Sequence, residues 1–89
     1  MLYIRLSSQT GQEVDLVIEK GGEIIGIEIK FSATPSPRDF TGLKLLKKHL
    51  GKKFIQGVLI HTGRETIPFG EDLHAVPVST LFPVDIGYK

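Results

Sequence analysis

The chain has 89 residues, 40% of them apolar, 24% charged and none of them cysteine, which fits one compact domain and excludes a disulfide-stapled secreted scaffold and a thiolate zinc site. Its apolar runs, such as Val58-Leu59-Ile60 and Ile24-Ile25, fall far short of the ~20 residues of a membrane span, and Met1-Leu2-Tyr3 lacks the layout of a signal peptide, so a cytoplasmic protein is expected. The net charge of +1 hides an uneven distribution: residues 38–53 carry Arg38, Lys44, Lys47, Lys48, Lys52 and Lys53 against Asp39 alone, whereas residues 1–37 and 54–89 each sum to −2.

The first predicted element is a β-strand over Leu2-Tyr3-Ile4-Arg5-Leu6, followed by a polar break at Ser7-Ser8-Gln9-Thr10-Gly11. In Glu13-Val14-Asp15-Leu16-Val17-Ile18-Glu19 the residues Val14, Leu16 and Ile18 alternate with Glu13, Asp15 and Glu19, a period of two that predicts a second strand. Lys20-Gly21-Gly22 supplies a hairpin turn, and Ile24 to Lys30 returns as a third strand with Ile25, Ile27 and Ile29 on one face. Ser36 as N-cap, Pro37 at the first helical position and Asp39 near the positive end of the helix dipole predict a helix over about 36–50. Phe40, Leu43, Leu46 and Leu50 form its apolar stripe, lysines fill much of the remainder, and Gly51 is placed to stop it. Phe54 to Ile60 is almost continuously apolar, the pattern of a parallel strand covered on both faces, so strand, crossover helix and parallel strand run from Ile24 to Ile60. Beyond the turn His61-Thr62-Gly63, short edge strands are predicted around Thr66-Ile67-Pro68-Phe69 and His74 to Val78, where Pro68 and Pro77 suit edge positions. Ser79-Thr80-Leu81-Phe82 suits one closing helical turn, which completes an α/β (α+β) domain: a small mixed sheet with a helix packed on it.

Candidate chemistry concentrates on the predicted hairpin. Glu28 and Lys30 share a strand face opposite Ile27 and Ile29, and Asp15 lies across the ladder from Glu28, so two carboxylates and one ammonium converge. Oxygen ligands suit a hard divalent cation such as Mg²⁺ or Mn²⁺: Asp15, Glu28 and the Ile29 carbonyl make a partial shell that a substrate phosphate would complete. Lys30 is placed to orient a water or to stabilise charge on the phosphate under attack.

Asp15 and Glu28-Ile29-Lys30 on the next strand, followed by a Ser/Thr-bearing loop and a helix, resemble the PD-(D/E)xK signature of restriction-endonuclease-like nucleases. Glu13 to Glu19, Ile27 to Lys30, the Pro-Ser-rich loop before Asp39, Gly42-Leu43-Lys44, Gly57-Val58-Leu59 with Thr62-Gly63, and Ala75 to Ser79 look like the uncharacterised domain at the C-terminus of many bacterial and archaeal AAA-type ATPases. The likeness covers nearly the whole chain. It implies a single restriction-endonuclease-like domain over residues 1–89, with Asp15 and Glu28 as metal ligands and Lys30 as the water-orienting residue, acting on or binding DNA. Enzymes of that fold begin with a helix over one sheet face, whereas the first strand here starts at Leu2. The resemblance therefore implies either a detached C-terminal segment or a cover supplied by another chain, with a homodimer through the uncovered sheet face as the expectation and an AAA-type ATPase module as a further expected partner. The chain has no Gly-x-x-x-x-Gly-Lys-[Ser/Thr] loop and is not itself the ATPase.

Each feature also has a plainer reading. Glu-x-Lys arises on any solvated strand by charge alternation. The basic segment, the candidate nucleic-acid-binding set Arg38, Lys44, Lys47, Lys48, Lys52 and Lys53, is equally what a surface helix needs on its outer face, and it carries no exposed aromatic because Phe40 and Phe54 read as core. His61 is expected to be a hydrogen-bonded loop histidine, and His49 and His74 have no partner spacing. Two functions follow: a divalent-metal-dependent nuclease-like domain acting on or binding DNA, or a non-catalytic dimerisation or DNA-tethering domain of the same fold.

Overall fold

A computed structural model describes the backbone of residues 2–4 and residues 14–81 in full. The predicted polar break at residues 7–11 lies outside the described residues, as do Arg5, Leu6, Glu13 and Phe82. Six strands form one mixed sheet, β1 (Leu2–Ile4), β2 (Leu16–Lys20), β3 (Glu23–Ile29), β4 (Phe54–His61), β5 (Ile67–Pro68) and β6 (Leu73–Pro77), in the order β1-β2-β3-β4-β6-β5. The first three strands are antiparallel neighbours, β3, β4 and β6 run parallel, and β5 closes the far edge antiparallel to β6.

The β2–β3 hairpin follows from its glycines. Lys20 pairs with Glu23, and the two residues between them, Gly21 and Gly22, have φ of 61° and 85°. Two successive left-handed residues make the tight turn whose twist matches that of the flanking strands.

The predicted helix is present, but its first turn is wound more tightly than an α-helix. Residues Pro37–Phe40 form a 3₁₀ turn, and α1 spans Thr41–Leu50. Asp39 explains the tightening: its N–H donates to the Ser36 carbonyl at 2.9 Å, three residues back, while its carboxylate accepts the Ser36 N–H at 2.9 Å. Pro37 has no N–H to leave unsatisfied at this start. At the other end Gly51 takes φ 58°, which a residue with a Cβ adopts only at a cost, and α1 stops there.

The helix chooses its sheet face by close approach. Gly26 of β3 and Gly57 of β4 are register partners, and Leu43 of α1 is fully buried over them. A Cβ at Gly26 would stand 2.9 Å from Cδ2 of both Leu43 and Leu46, and one at Gly57 would stand 2.7 Å from Leu73 and 2.9 Å from Phe54. Around this seat Val14, Val17, Ile24, Phe40, Phe54, Leu59, Leu73 and Ala75 complete the core, with Phe69 stacked against Phe40 at 4.6 Å between ring centroids.

Alternation therefore places Leu16, Ile18, Ile25, Ile27 and Ile29 on the face away from α1. Among the described residues the side with the more regular apolar alternation carries no helix, and the side that carries Glu28 is the one α1 packs on. On β4 the face away from α1 carries Ile60, which is buried as expected of a strand covered on both faces. Among the described residues α1 supplies a layer on one face, and Gln56 and Val58 on the other remain half-buried. A final 3₁₀ turn over Val78–Leu81 matches the predicted closing turn.

Candidate functional site

The parallel pairing carries the C-terminal end of β3 to the middle of one sheet edge. Leu16 pairs with Ile27, so Asp15, one residue before β2, stands opposite Glu28. Asp15 bends the chain there, and its Oδ2 accepts the Ile29 N–H at 2.8 Å, fastening the start of β2 to the end of β3. One carboxylate oxygen thus has a structural task, and Oδ1 is the oxygen left for chemistry.

Glu28 is 6% exposed and lies beside Leu59, its fully buried register partner on β4. A carboxylate in that setting is not an alternating charge on a solvated strand, the plainer reading of Glu-x-Lys. Acidic side chains are rarely buried without a specific task, because removing the charge from water is costly. Lys30, half-exposed, brings its Nζ to 4.0 Å from Glu28 Oε2. Glu28 and Lys30 thus lie side by side, with Asp15 across the ladder and bonded to the Ile29 N–H, at one end of the sheet.

The donor set is all oxygen and matches a hard divalent cation in type. It consists of two carboxylates with the neighbouring backbone. Among the described residues no third acidic or histidine side chain gathers with them into a metal-holding group. Asp15 and Glu28 would hold such an ion, with its remaining positions filled by water or substrate.

The basic segment is exposed. Arg38, Lys44, Lys48, Lys52 and Lys53 all face solvent, from the 3₁₀ turn through α1 to the turn before β4. Lys47 differs: its Nζ lies 3.1 Å from Asp72 Oδ2 and ties α1 to the turn between β5 and β6. It is half-exposed and already paired, so it contributes less positive charge to a ligand than its neighbours. Phe40 and Phe54 are buried in the core as expected.

His61 ends β4 and is 1% exposed. Its Nδ1 accepts the Gly63 N–H at 2.9 Å, which leaves Nε2 as the protonated nitrogen donating to the Glu65 carbonyl at 2.9 Å. Both ring nitrogens are engaged by backbone, so His61 organises its turn. His74 Nδ1 lies 2.6 Å from Gln56 Nε2.

One prominent residue was missed from the sequence. Phe31, directly after Lys30, is 92% exposed. It follows Ile25, Ile27 and Ile29 at the strand period, so alternation reads it as one more buried residue of β3. The break to Ser32-Ala33-Thr34-Pro35 immediately after it was the available signal that the strand had ended.

No helix among the described residues is long and apolar enough to cross a membrane. No curated protein and no solved structure matches the chain. A family model does, over residues 2–81, nearly the full length of the sequence, and the protein belongs to that family, the domain of unknown function DUF4143.

Proposed function

We propose that this domain is a divalent-metal-dependent, nuclease-like module of the PD-(D/E)xK type that acts on or binds DNA. The observation that carries the reading is the buried Glu28 at the end of a central strand, with Asp15 opposite and Lys30 at 4.0 Å. Asp15 and Glu28 hold Mg²⁺ or Mn²⁺, and Lys30 orients a water toward the phosphodiester. When bound, the ion supplies positive charge against the attacked phosphate. The exposed cations Arg38, Lys44, Lys48, Lys52 and Lys53 contact the phosphate backbone, and Lys47 joins them when its pairing with Asp72 yields. The family match is compatible with a module that works beside an AAA-type ATPase.

A labelled DNA duplex incubated with the domain in Mg²⁺ and in Mn²⁺ tests this reading. The expected result is binding whose log affinity falls linearly with log salt, and metal-dependent nicking that Glu28→Gln removes while the variant keeps the wild-type circular dichroism spectrum. Absence of both binding and nicking contradicts it.

A second reading has its own observation. The open sheet face presents Leu16, Ile18, Ile25, Ile27 and Ile29 without a covering layer among the described residues. Ile29 is exposed and the other four are half-buried, and a contiguous apolar row of this kind suits an interaction site. It supports a non-catalytic dimerisation or DNA-tethering domain that keeps the nuclease fold, with a second copy of the chain on that face. A mass measurement that returns only monomer at high concentration contradicts it.

A further inference from the structure

Phe31 stands on a rigid pedestal. The residue before it, Lys30, donates its N–H to the Ile60 carbonyl at 2.9 Å, and the residue after it, Ser32, accepts the Thr62 N–H at 3.0 Å. The Ser32 N–H closes back on the Lys30 carbonyl at 2.9 Å, so Phe31 is the apex of a three-residue turn. No described residue other than glycine has a positive φ, which makes this the relaxed, inverse form of the turn. Gly63 packs so closely on the Ala33 carbonyl that a Cβ would collide with it, which fixes the loop from the other side. The backbone around Phe31 is thus held at both flanks, while its ring, at 92% exposure, takes almost no part in the fold.

A held aromatic that buries nothing is preorganised for a ligand, because little ordering is left to be done on binding. Its surroundings narrow the ligand. Lys30 on one side reaches toward Glu28, Ser32 and Thr34 on the other are polar, and the same loop leads through Pro35 and Ser36 to Arg38 and the basic segment. Taken by itself one ring contributes ~150–250 Å² of contact, short of the ~800 Å² per partner of a stable protein interface, and a contribution to an interface on the Ile25–Ile29 face is the alternative that sedimentation tests below. A single exposed π-face, one residue after Lys30 in the chain, suits an unpaired base: stacking supplies attraction regardless of base identity, and cations elsewhere on the surface take the phosphates. A base inside a duplex is already stacked on both faces and cannot offer itself.

We propose that Phe31 is a stacking platform for an unpaired nucleobase, so that the strand entering the Asp15–Glu28–Lys30 site is single-stranded or frayed nucleic acid. The inference rests on the nucleic-acid reading above and specifies its substrate class.

Fluorescence anisotropy with a labelled mixed-sequence single strand and a blunt hairpin duplex of matching length, both in EDTA, separates the two ideas. The variants are Phe31→Ala and Phe31→Trp. The expected result is that Phe31→Ala weakens single-strand binding by roughly 5- to 100-fold, the loss of one base–aromatic stack, and leaves duplex binding within about twofold. Phe31→Trp retains single-strand affinity, and its indole emission, the only one in a chain without tryptophan, is quenched on binding. Equal single-strand affinity for wild type and Phe31→Ala overturns the platform and leaves the nucleic-acid reading standing, as does binding confined to the duplex. If neither nucleic acid binds, both fall. If Phe31→Ala instead shifts the oligomeric state in sedimentation with nucleic-acid affinity unchanged, the ring belongs to a protein interface and the platform is overturned.

Discussion

At the residue scale, Asp15 does two things with one carboxylate, and substitutions separate them. Its Oδ2 accepts the Ile29 N–H at 2.8 Å, a bond whose acceptor survives in Asp15→Asn and is lost in Asp15→Ala. Urea denaturation is expected to show Asp15→Ala less stable by about 1 kcal/mol, the net worth of one such hydrogen bond, with Asp15→Asn close to wild type. Both variants lose the charge that would hold a cation, so metal affinity should fall in the two alike. Asp15 and Glu28 were legible as a pair from the sequence because a two-residue hairpin leaves no freedom of register. The glycines at 21 and 22 fix the turn, and the turn fixes who faces whom. Phe31 was not legible, since period-two alternation cannot tell the last residue of a strand from the first residue of an exposed turn.

At the scale of elements, the helix and sheet meet through two glycines. Gly26→Ala and Gly57→Val each add a side chain within 3 Å of packed neighbours. Over-packing of that kind costs about 1–3 kcal/mol, and thermal unfolding should show it, even though valine is the better strand former. Gly51→Ala is expected to cost about 1 kcal/mol for a different reason: φ of 58° excludes the Cβ rather than a neighbour. The same two sheet glycines explain why the covered face could not be read in advance. The isoleucines at 25, 27 and 29 mark an apolar face in the sequence, and a helix would be expected to cover it. The glycines opposite leave room for a helix to approach, and Val17, Ile24, Leu43 and Leu59 fill what remains. The strand segments, the crossover and the helix stop at Gly51 were legible, because each depends on local chemistry, whereas β6, expected at an edge, lies between β4 and β5, with Pro77 at its last position. Which side of the sheet α1 takes depends on contacts between residues more than ten positions apart.

At the scale of the whole molecule, the fold pairs a buried carboxylate on the helix side of the sheet with an apolar row on the other side that no described element covers. Sedimentation equilibrium should detect self-association that Ile27→Lys reduces, because Ile27 lies on that open face and away from the Asp15–Glu28 end of the ladder's covered side. Ile27→Lys that leaves the association constant unchanged contradicts an interface there. The basic charge of residues 38–53 is a property of the molecule more than of any one residue, so single lysine substitutions such as Lys48→Gln should each reduce the salt slope of DNA binding by ~1 without abolishing it. The central claim, that Asp15 and Glu28 form a metal site, is tested most directly by titration calorimetry of Mn²⁺ into the wild-type domain and into Glu28→Gln, with circular dichroism confirming that the variant is folded. Saturable binding in the wild type that is lost in Glu28→Gln is the predicted result; no heat of binding at millimolar Mn²⁺ in the wild type, or equal binding in the two proteins, would contradict it.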